Sequence, residues 1–228
     1  MIVYGKQIIL HILEKRPKLL KEIYLSKEID RKLFNELAKN AKIIKVDNKK
    51  AQALAQGGNH QGIIAEIEPI FPLEADRVGE FSSALLLAGV SDMGNIGAIA
   101  RSAYAYGVDA LFVCGRKNLD MAPIIRASSG AAIELPIVLA EDCGDLLNRL
   151  KQLKFELICS KIGANGLVEA QGKWVLVMGS EDSGLPKRFE NFCTKSIGIE
   201  MKNGFDSLNV STATAILIDR IIYGRDIK

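Results

Sequence analysis

The chain has 228 residues, 48% of them hydrophobic, and a formal net charge of only +3 at pH 7. A chain of this length can bury a core without disulfides or metal ions. Its longest charge-free stretch, 51–65, contains polar residues and is shorter than the roughly 18 apolar residues of a membrane span. Charged side chains also interrupt the N-terminus where a signal peptide would be apolar. We therefore expect a cytoplasmic protein with no membrane partner.

The cysteines and histidines argue against a metal site. The two histidines are too few for a histidine-built centre, and the four cysteines lie far apart with no CxxC pair. This spacing fits a chain whose thiols are reduced. The cysteines are Cys114, Cys143, Cys159 and Cys193.

Charge is distributed unevenly along the chain. Residues 1–70 carry 13 Lys and Arg against 8 Asp and Glu, whereas residues 71–228 carry 17 against 19. A small basic unit beside a near-neutral one indicates a polyanion-binding part attached to a part with another task. The alternative, which composition leaves equally open, is that the excess charge serves only solubility.

The first segment is predicted to be a small α/β unit that alternates short helices and strands. Apolar residues at helical spacing predict a helix over 5–16, which ends before Pro17. The stretch 68–74 contains two prolines and no periodic pattern, which is typical of a linker. The remaining predicted elements are strands at 22–25, 42–46 and 63–67 and helices at 30–40 and 48–56.

Beyond the linker the strands become longer and fully apolar. Runs without polar alternation are typical of a parallel sheet that is covered on both faces. The predicted strands are 84–90, 110–113, 135–138, 155–160, 174–178 and 197–201. The predicted helices are 96–106, 144–153, 186–192 and about 208–223.

The first candidate motif follows the first long strand. The turn at 89–97 lacks both GxGxxG and the P-loop lysine, which disfavours a dehydrogenase or a nucleoside triphosphatase. In the next helix, Arg101 is one cation among small and apolar neighbours. Such an arginine meets either a structural carboxylate or the phosphate of a substrate.

Two further candidate motifs lie near the C-terminus. The strand 174–178 ends at a glycine-rich turn that carries Glu181, and glycine allows a backbone to approach a ligand closely. Ser207 is a predicted helix N-cap, and Asn209 is a polar residue at the start of a nearly apolar helix. Each pattern alone is compatible with an ordinary turn or cap.

Together and in this order, the three motifs resemble those of the SpoU branch of the SPOUT RNA methyltransferases. The resemblance covers the whole chain. It implies an L30e-like α/β substrate-binding domain over 1–67, a linker over 68–80, and an α/β methyltransferase domain over 81–228 with a parallel sheet and a C-terminal trefoil knot. The matching residues are Asn95, Gly97 and Arg101, then Gly179, Glu181, Gly184 and Leu185, then 207–211.

The resemblance also implies an activity. Members transfer methyl from S-adenosylmethionine to a ribose 2'-hydroxyl of RNA, and the additional N-terminal domain favours large-subunit (23S) ribosomal RNA. A transfer RNA substrate and a non-catalytic RNA-binding homologue remain the alternatives. The implied cofactor residues are Gly179, Ile199, Met201 and Leu208, and the implied catalytic residues are Asn95, Arg101, Glu181, Ser207 and Asn209, with no metal.

The chemistry of the guanidinium group limits the catalytic roles that Arg101 can have. A guanidinium holds its proton at neutral pH, so Arg101 is better suited to clamp a phosphate and stabilise developing negative charge than to act as a general base. His60 is open between a structural hydrogen bond and an RNA contact. Candidate phosphate contacts in the basic segment are Lys18, Lys21, Arg31, Lys32, Lys49 and Lys50.

A homodimer is a further expectation from the resemblance. The last helix is apolar around more of its circumference than a helix on one sheet face requires, so the surplus predicts a two-fold contact. Burial within its own chain is the alternative. The apolar residues concerned are Ala213, Ile216, Leu217, Ile221 and Ile222.

Overall fold

The computed structural model describes residues 1–164, 168–180, 184–203 and 206–224. Their strands form two sheets, one of four strands near the N-terminus and one of seven strands in the rest of the chain. In the second sheet every strand pair is parallel. The predicted α/β class and the predicted parallel sheet are confirmed.

The four-stranded sheet has the order β1-β4-β2-β3. The strands β1 and β2 flank β4 in antiparallel pairs, and β3 joins β2 in parallel. Its strands are β1 (Ile2–Tyr4), β2 (Leu20–Leu25), β3 (Lys42–Lys45) and β4 (Ile63–Ile67), and its helices are α1 (Lys6–Lys15), α2 (Arg31–Asn40) and α3 (Asn48–Leu54). The sequence patterns predicted all of these elements except β1.

The seven-stranded sheet has the order β11-β9-β10-β6-β7-β8-β5. Its strands are β5 (Leu73–Glu74), β6 (Ser83–Ala88), β7 (Ala110–Cys114), β8 (Ile137–Ala140), β9 (Glu156–Ser160), β10 (Trp174–Met178) and β11 (Lys195–Ile197). The helices are α4 (Met93–Ala105), α5 (Met121–Ala127), α6 (Cys143–Gln152), α7 (Lys187–Glu190) and α8 (Val210–Tyr223).

Both faces of this sheet are buried, which explains the unbroken apolar strands. In β6, Leu85 and Leu87 pack with the apolar residues of α4, α5 and α8. Leu86, which points to the other face, packs with those of α6 and α7. Helices on both faces confirm the layered arrangement that the strand composition predicts.

Several boundaries differ from the sequence-based expectation. The predicted strand 197–201 begins earlier, as β11, and residues 198–201 lie outside it. The predicted linker 68–80 is not all extended chain, because β5 pairs with β8 and a 3₁₀ helix spans Ala75–Glu80. Helix α5 was not predicted, since Pro123 lies within its seven residues. The trefoil knot remains an expectation of the resemblance.

The expectation of reduced cysteines is wrong for this structure, which contains two disulfides. Cys114 at the end of β7 is joined to Cys143 at the start of α6, and Cys159 in β9 is joined to Cys193 after α7. The partners are 29 and 34 residues apart in the sequence. Sequence spacing does not reveal such pairs, because adjacent parallel strands and their crossovers bring them together.

The two sheets belong to one packed body. One hydrophobic cluster of buried residues includes Ile9 and Ile12 of α1 together with Ile124 and Ile125 of α5. The guanidinium of Arg16 also donates to Glu134 at 2.9 Å across the same boundary. Helix α1 therefore fixes the small sheet against the larger one.

Among the residues that the structure describes, no helix has the length and apolar character that a membrane crossing requires. The same residues contain no group of three or more His, Cys, Asp or Glu side chains arranged to hold a metal ion.

Gly97, a residue of the first motif, gives a prediction about packing. A Cβ built at Gly97 would lie 2.5 Å from the Cβ of Ala127 and 2.8 Å from the carbonyl oxygen of Ile124, so α4 and α5 would have to separate. We expect Gly97→Ala to lower the free energy of unfolding by about 1 to 3 kcal/mol.

Denaturant unfolding monitored by circular dichroism measures this effect. The control is Ala105→Ser on the exposed side of α4, which we expect to change stability by less than about 0.5 kcal/mol. Equal stability of Gly97→Ala and the control would show that the glycine is not required for helix packing.

Candidate functional site

A cavity of about 540 Å³ lies where the carboxyl ends of β9, β10 and β11 meet α8. Four of its lining residues are Gly179, Ile199, Met201 and Leu208, which are the four cofactor residues implied by the sequence resemblance. They come from the turn after β10, the segment after β11 and the residues before α8. The fold thus places three separate stretches of chain around one space.

Two glycines allow the backbone segments around this cavity to approach each other. A Cβ at Gly179 would lie 2.1 Å from the carbonyl carbon of Gly184, and one at Gly198 would lie 2.2 Å from the carbonyl oxygen of Lys161. Both contacts are with backbone atoms, which cannot move aside as a flexible side chain can. Glycine is therefore required at both positions, because any larger residue would clash with the backbone.

The cavity is lined by both apolar and polar residues. Apolar walls accommodate flat or aliphatic parts of a ligand, and a few polar groups orient it. Lys161 and Glu190, which both line the cavity, form an ion pair at 3.1 Å. The apolar lining includes Met178, Leu185, Ile197, Val210 and Leu217, and the polar lining includes Ser160, Ser180, Asp206 and Ser207.

A hydrogen bond joins the first motif to the third. The side-chain amide of Asn209 donates to Oδ1 of Asn95 at 2.9 Å, although the two residues are 114 positions apart. Oδ1 of Asn209 also accepts from the backbone N–H groups of Ser211 and Thr212, which makes Asn209 the N-cap of α8. The expectation that Ser207 is the cap is wrong, since α8 begins at Val210 and Ser207 instead lines the cavity.

Arg101 lies elsewhere, in a second cavity. This cleft of about 610 Å³ is formed between α1 and the end of α5, and the exposed Arg101 lines it from α4. Neither Arg101 nor Asn95 lines the first cavity. Over the described ranges, the guanidinium of Arg101 makes no hydrogen bond or ion pair, so those residues supply no structural carboxylate for it. Glu181, the remaining predicted catalytic residue, lies outside the described residues.

The basic N-terminal segment presents its charges to solvent. Lys21 is paired with Glu68 at 2.9 Å. The other five candidate phosphate contacts, Lys18, Arg31, Lys32, Lys49 and Lys50, are exposed. His60 is buried, with Nδ1 accepting from the backbone N–H of Gly62 at 3.1 Å. This bond favours the structural alternative for His60. The exposed lysines and arginines are accessible to a phosphate group.

Sequence reasoning missed two sets of residues near these cavities. One set comprises Gln7, His11 and Glu14 of α1, which share the cleft with Arg101. The other is Arg220 of α8, which donates to the carbonyl oxygen of Gly198 at 2.5 Å. No motif signals them, because both depend on how distant elements pack together.

Family models match most of the chain. A model described as SpoU rRNA Methylase family matches residues 82–219, and one described as RNA 2'-O ribose methyltransferase substrate binding matches residues 2–73. The chain is 33% identical to the 23S rRNA (guanosine-2'-O-)-methyltransferase RlmB of Pasteurella multocida (strain Pm70), with 98% of each chain covered. It is 27% identical to the RlmB of Escherichia coli (strain K12), covering 95% of this chain and 96% of that one.

A solved structure shares the fold. The SpoU methyltransferase AviRb from Streptomyces viridochromogenes, in complex with AdoMet, superposes with a TM-score of 0.78 at 20% sequence identity. The match covers 99% of this chain and 90% of that one. At this identity the likeness concerns the fold alone, and the two chains share one architecture.

The two functions of Asn209 can be separated by mutation. We expect Asn209→Ala to lower the free energy of unfolding by about 1 kcal/mol or more, because it removes both the helix cap and the bond to Asn95. Asn209→Asp retains a capping oxygen but loses the amide that donates to Asn95, so we expect a smaller loss than in Asn209→Ala.

Thermal and denaturant unfolding of both variants measure these losses in the free energy of unfolding. If Asn209→Asp destabilised the chain as much as Asn209→Ala, the cap would not be the dominant stabilising contribution of this side chain.

Proposed function

The chain belongs to the SpoU rRNA methylase family, and from this we propose that it transfers a methyl group from S-adenosylmethionine to the 2'-hydroxyl of a guanosine ribose in 23S ribosomal RNA. The observation that supports this most directly is the cavity that Gly179, Ile199, Met201 and Leu208 line together. These residues come from separate stretches of sequence, and one ligand in the cavity can contact them all. Ribosomal RNA as substrate also implies a cytoplasmic location.

The chemistry of this cavity fits the proposed donor. Its volume of about 540 Å³ lies in the range of sites for nucleoside-sized ligands. The apolar side chains can pack against an adenine ring, and the serine hydroxyls of the lining can hydrogen-bond a ribose or an amino acid end. Asp206, another lining residue, carries a negative charge suited to the donor's cationic groups. S-adenosylmethionine supplies an electrophilic methyl group on a sulfonium when bound.

Arg101 is proposed to act on the RNA. Its guanidinium is exposed in a cleft, and among the described residues it has no ionic partner, so it is available to an incoming phosphate. A fixed positive charge there would hold the backbone of the acceptor nucleotide and stabilise negative charge that develops on the ribose oxygen. Arg101 keeps its proton in this role.

The remaining predicted catalytic residues are proposed to order the loops. The Asn95–Asn209 hydrogen bond fixes the N-terminal turn of α4 against the start of α8. Ser207 lines the donor cavity two residues before Asn209, so this bond also restrains the segment that carries it. Glu181 retains its proposed place in the site on the sequence resemblance alone.

The substrate class follows from the N-terminal part and the relatives. Residues 2–73 match a substrate-binding model, and the net charge of residues 1–70 is +5. Basic side chains provide the phosphate contacts that dominate affinity for nucleic acids. The relatives that match nearly the full chain are named 23S rRNA guanosine methyltransferases, which favours that RNA over transfer RNA.

The test of the function is methyl transfer by Arg101→Ala. We expect methylation of 23S rRNA by this variant to fall by about 100-fold or more, because the charge that holds the acceptor is lost. Calorimetric binding of S-adenosylmethionine should stay within a few-fold, since Arg101 does not line the donor cavity.

The matched control is Arg77→Ala, which removes an exposed arginine that pairs with Glu80 and lines neither cavity. Near-normal methylation by Arg101→Ala would remove this residue from the site. Failure of the unaltered chain to methylate 23S rRNA or to bind the donor would contradict the proposed function itself.

We also propose that the chain is a homodimer that uses the outer face of α8. Ile222 and Tyr223 are 36% and 54% exposed, which leaves an apolar patch at the end of this helix. The predicted dimer face is narrower than the sequence pattern suggested, because Leu217 and Ile221 are buried within their own chain. A two-fold contact through one patch on each copy would cover the exposed residues.

Light scattering at micromolar concentration tests the dimer. We expect a mass near twice 24.9 kDa for the unaltered chain and a shift toward 24.9 kDa for Ile222→Glu, which places a charge in the contact. Leu153→Glu is the control, since Leu153 is also 36% exposed but lies after α6. A monomeric mass for the unaltered chain would reject the dimer.

A further inference from the structure

The cleft that contains Arg101 has walls from both parts of the chain. Five lining residues belong to α1 and one to α2, whereas Arg101 and Ser129 come from the larger part. Its volume of about 610 Å³ is large enough for a nucleotide. The lining residues are Gln7, Leu10, His11, Leu13, Glu14, Glu36, Arg101 and Ser129.

Packing fixes the shape of this cleft. The ring of His11 meets that of Tyr104 edge-on, with centroids 6.2 Å apart. A Cβ at Gly130 would lie 3.1 Å from Cδ2 of His11, so the turn after α5 lies directly against α1. The guanidinium of Arg126 also lies over the ring of Tyr4 at 4.9 Å. These contacts hold the wall from α1 at a set position relative to Arg101.

The charges of the cleft are not those of a phosphate groove. It contains one arginine and two glutamates, and a carboxylate repels a phosphate. Glu14 is engaged by Lys15 at 3.0 Å, and this hydrogen bond holds the pKa of Glu14 below its usual value. Glu36 is exposed, and within the described ranges its carboxylate has no ion-pair partner. A second carboxylate beside Arg101 is thus left to accept hydrogen bonds from a ligand.

An arginine and a carboxylate in one cleft indicate the class of ligand that the cleft can bind. An RNA nucleotide joins an anionic phosphate, which suits Arg101, to a base that can offer N–H donors, which suit a carboxylate. Proteins that read RNA sequence hydrogen-bond the edges of unstacked bases and pack against their faces. Leu10 and Leu13 provide half-buried apolar surface in the same cleft.

We propose that this cleft binds the base of the nucleotide to be methylated, with Glu36 accepting hydrogen bonds from the amino and imino groups of guanine. The inference rests on the proposed function and assigns base selection to the N-terminal part of the chain. Glu36 is then a specificity-determining residue, separate from the basic side chains that bind phosphates.

The experiment compares guanosine with inosine at the mapped methylation site of a 23S rRNA fragment. Inosine lacks the 2-amino group and so loses one donor to the carboxylate. For the unaltered chain we expect kcat/KM to fall by about 10- to 100-fold on inosine RNA, the effect of a lost hydrogen bond to a charged group. Glu36→Gln should lower kcat/KM on guanosine RNA and reduce the preference for guanosine to within about threefold.

The matched control is Glu28→Gln, which makes the same chemical change at an exposed residue of the same part that does not line the cleft. We expect it to retain the full preference for guanosine. Equal rates on both RNAs with the unaltered chain, or an unchanged preference in Glu36→Gln, would overturn the inference while methylation of guanosine RNA leaves the proposed function standing. Absence of methyl transfer to any 23S rRNA would overturn both.

Discussion

The close approach of backbone at Gly179 is the constraint on which the proposed donor cavity depends. The turn after β10 passes so near Gly184 and Leu185 that no side chain fits between them. The segment after β11 is similarly confined at Gly198, which contacts the backbone of Lys161 and Ala164. Because both contacts involve main-chain atoms, the cavity wall is set by the fold rather than by flexible side chains. A preformed wall reduces the ordering cost of binding a cofactor.

Helices α4 and α8 position the other residues of the site relative to this wall. Asn209 caps α8, and the same amide reaches Asn95 at the start of α4. One side chain therefore connects the helix that closes the donor cavity with the helix that carries Arg101. Arg220, further along α8, bonds Gly198 and restrains the cavity wall from the other end of the helix. A hydrogen bond thus connects the first and third sequence motifs, and the cavity is lined by residues of the second and third.

The sequence predicted most of the fold because its apolar runs report burial directly. The strand 174–178 was placed correctly, since every residue in it is buried. Strand β11 lies earlier than the apolar run predicts, because only its last residue is buried and the apolar residues that follow line the cavity instead. The disulfides and the cleft beside Arg101 depend on contacts between distant elements, which local patterns do not encode. Cys114 and Cys143, for example, meet only because β7 ends beside the start of α6.

The proposed function requires that S-adenosylmethionine binds between the turn after β10 and the segment after β11. Amide hydrogen exchange with and without saturating donor measures this directly. We expect slower exchange in peptides covering 174–180 and 195–203 when the donor is present, and unchanged exchange in α1 (Lys6–Lys15), which lines the other cavity. Protection confined to α1, or none in either of the two segments, would contradict it.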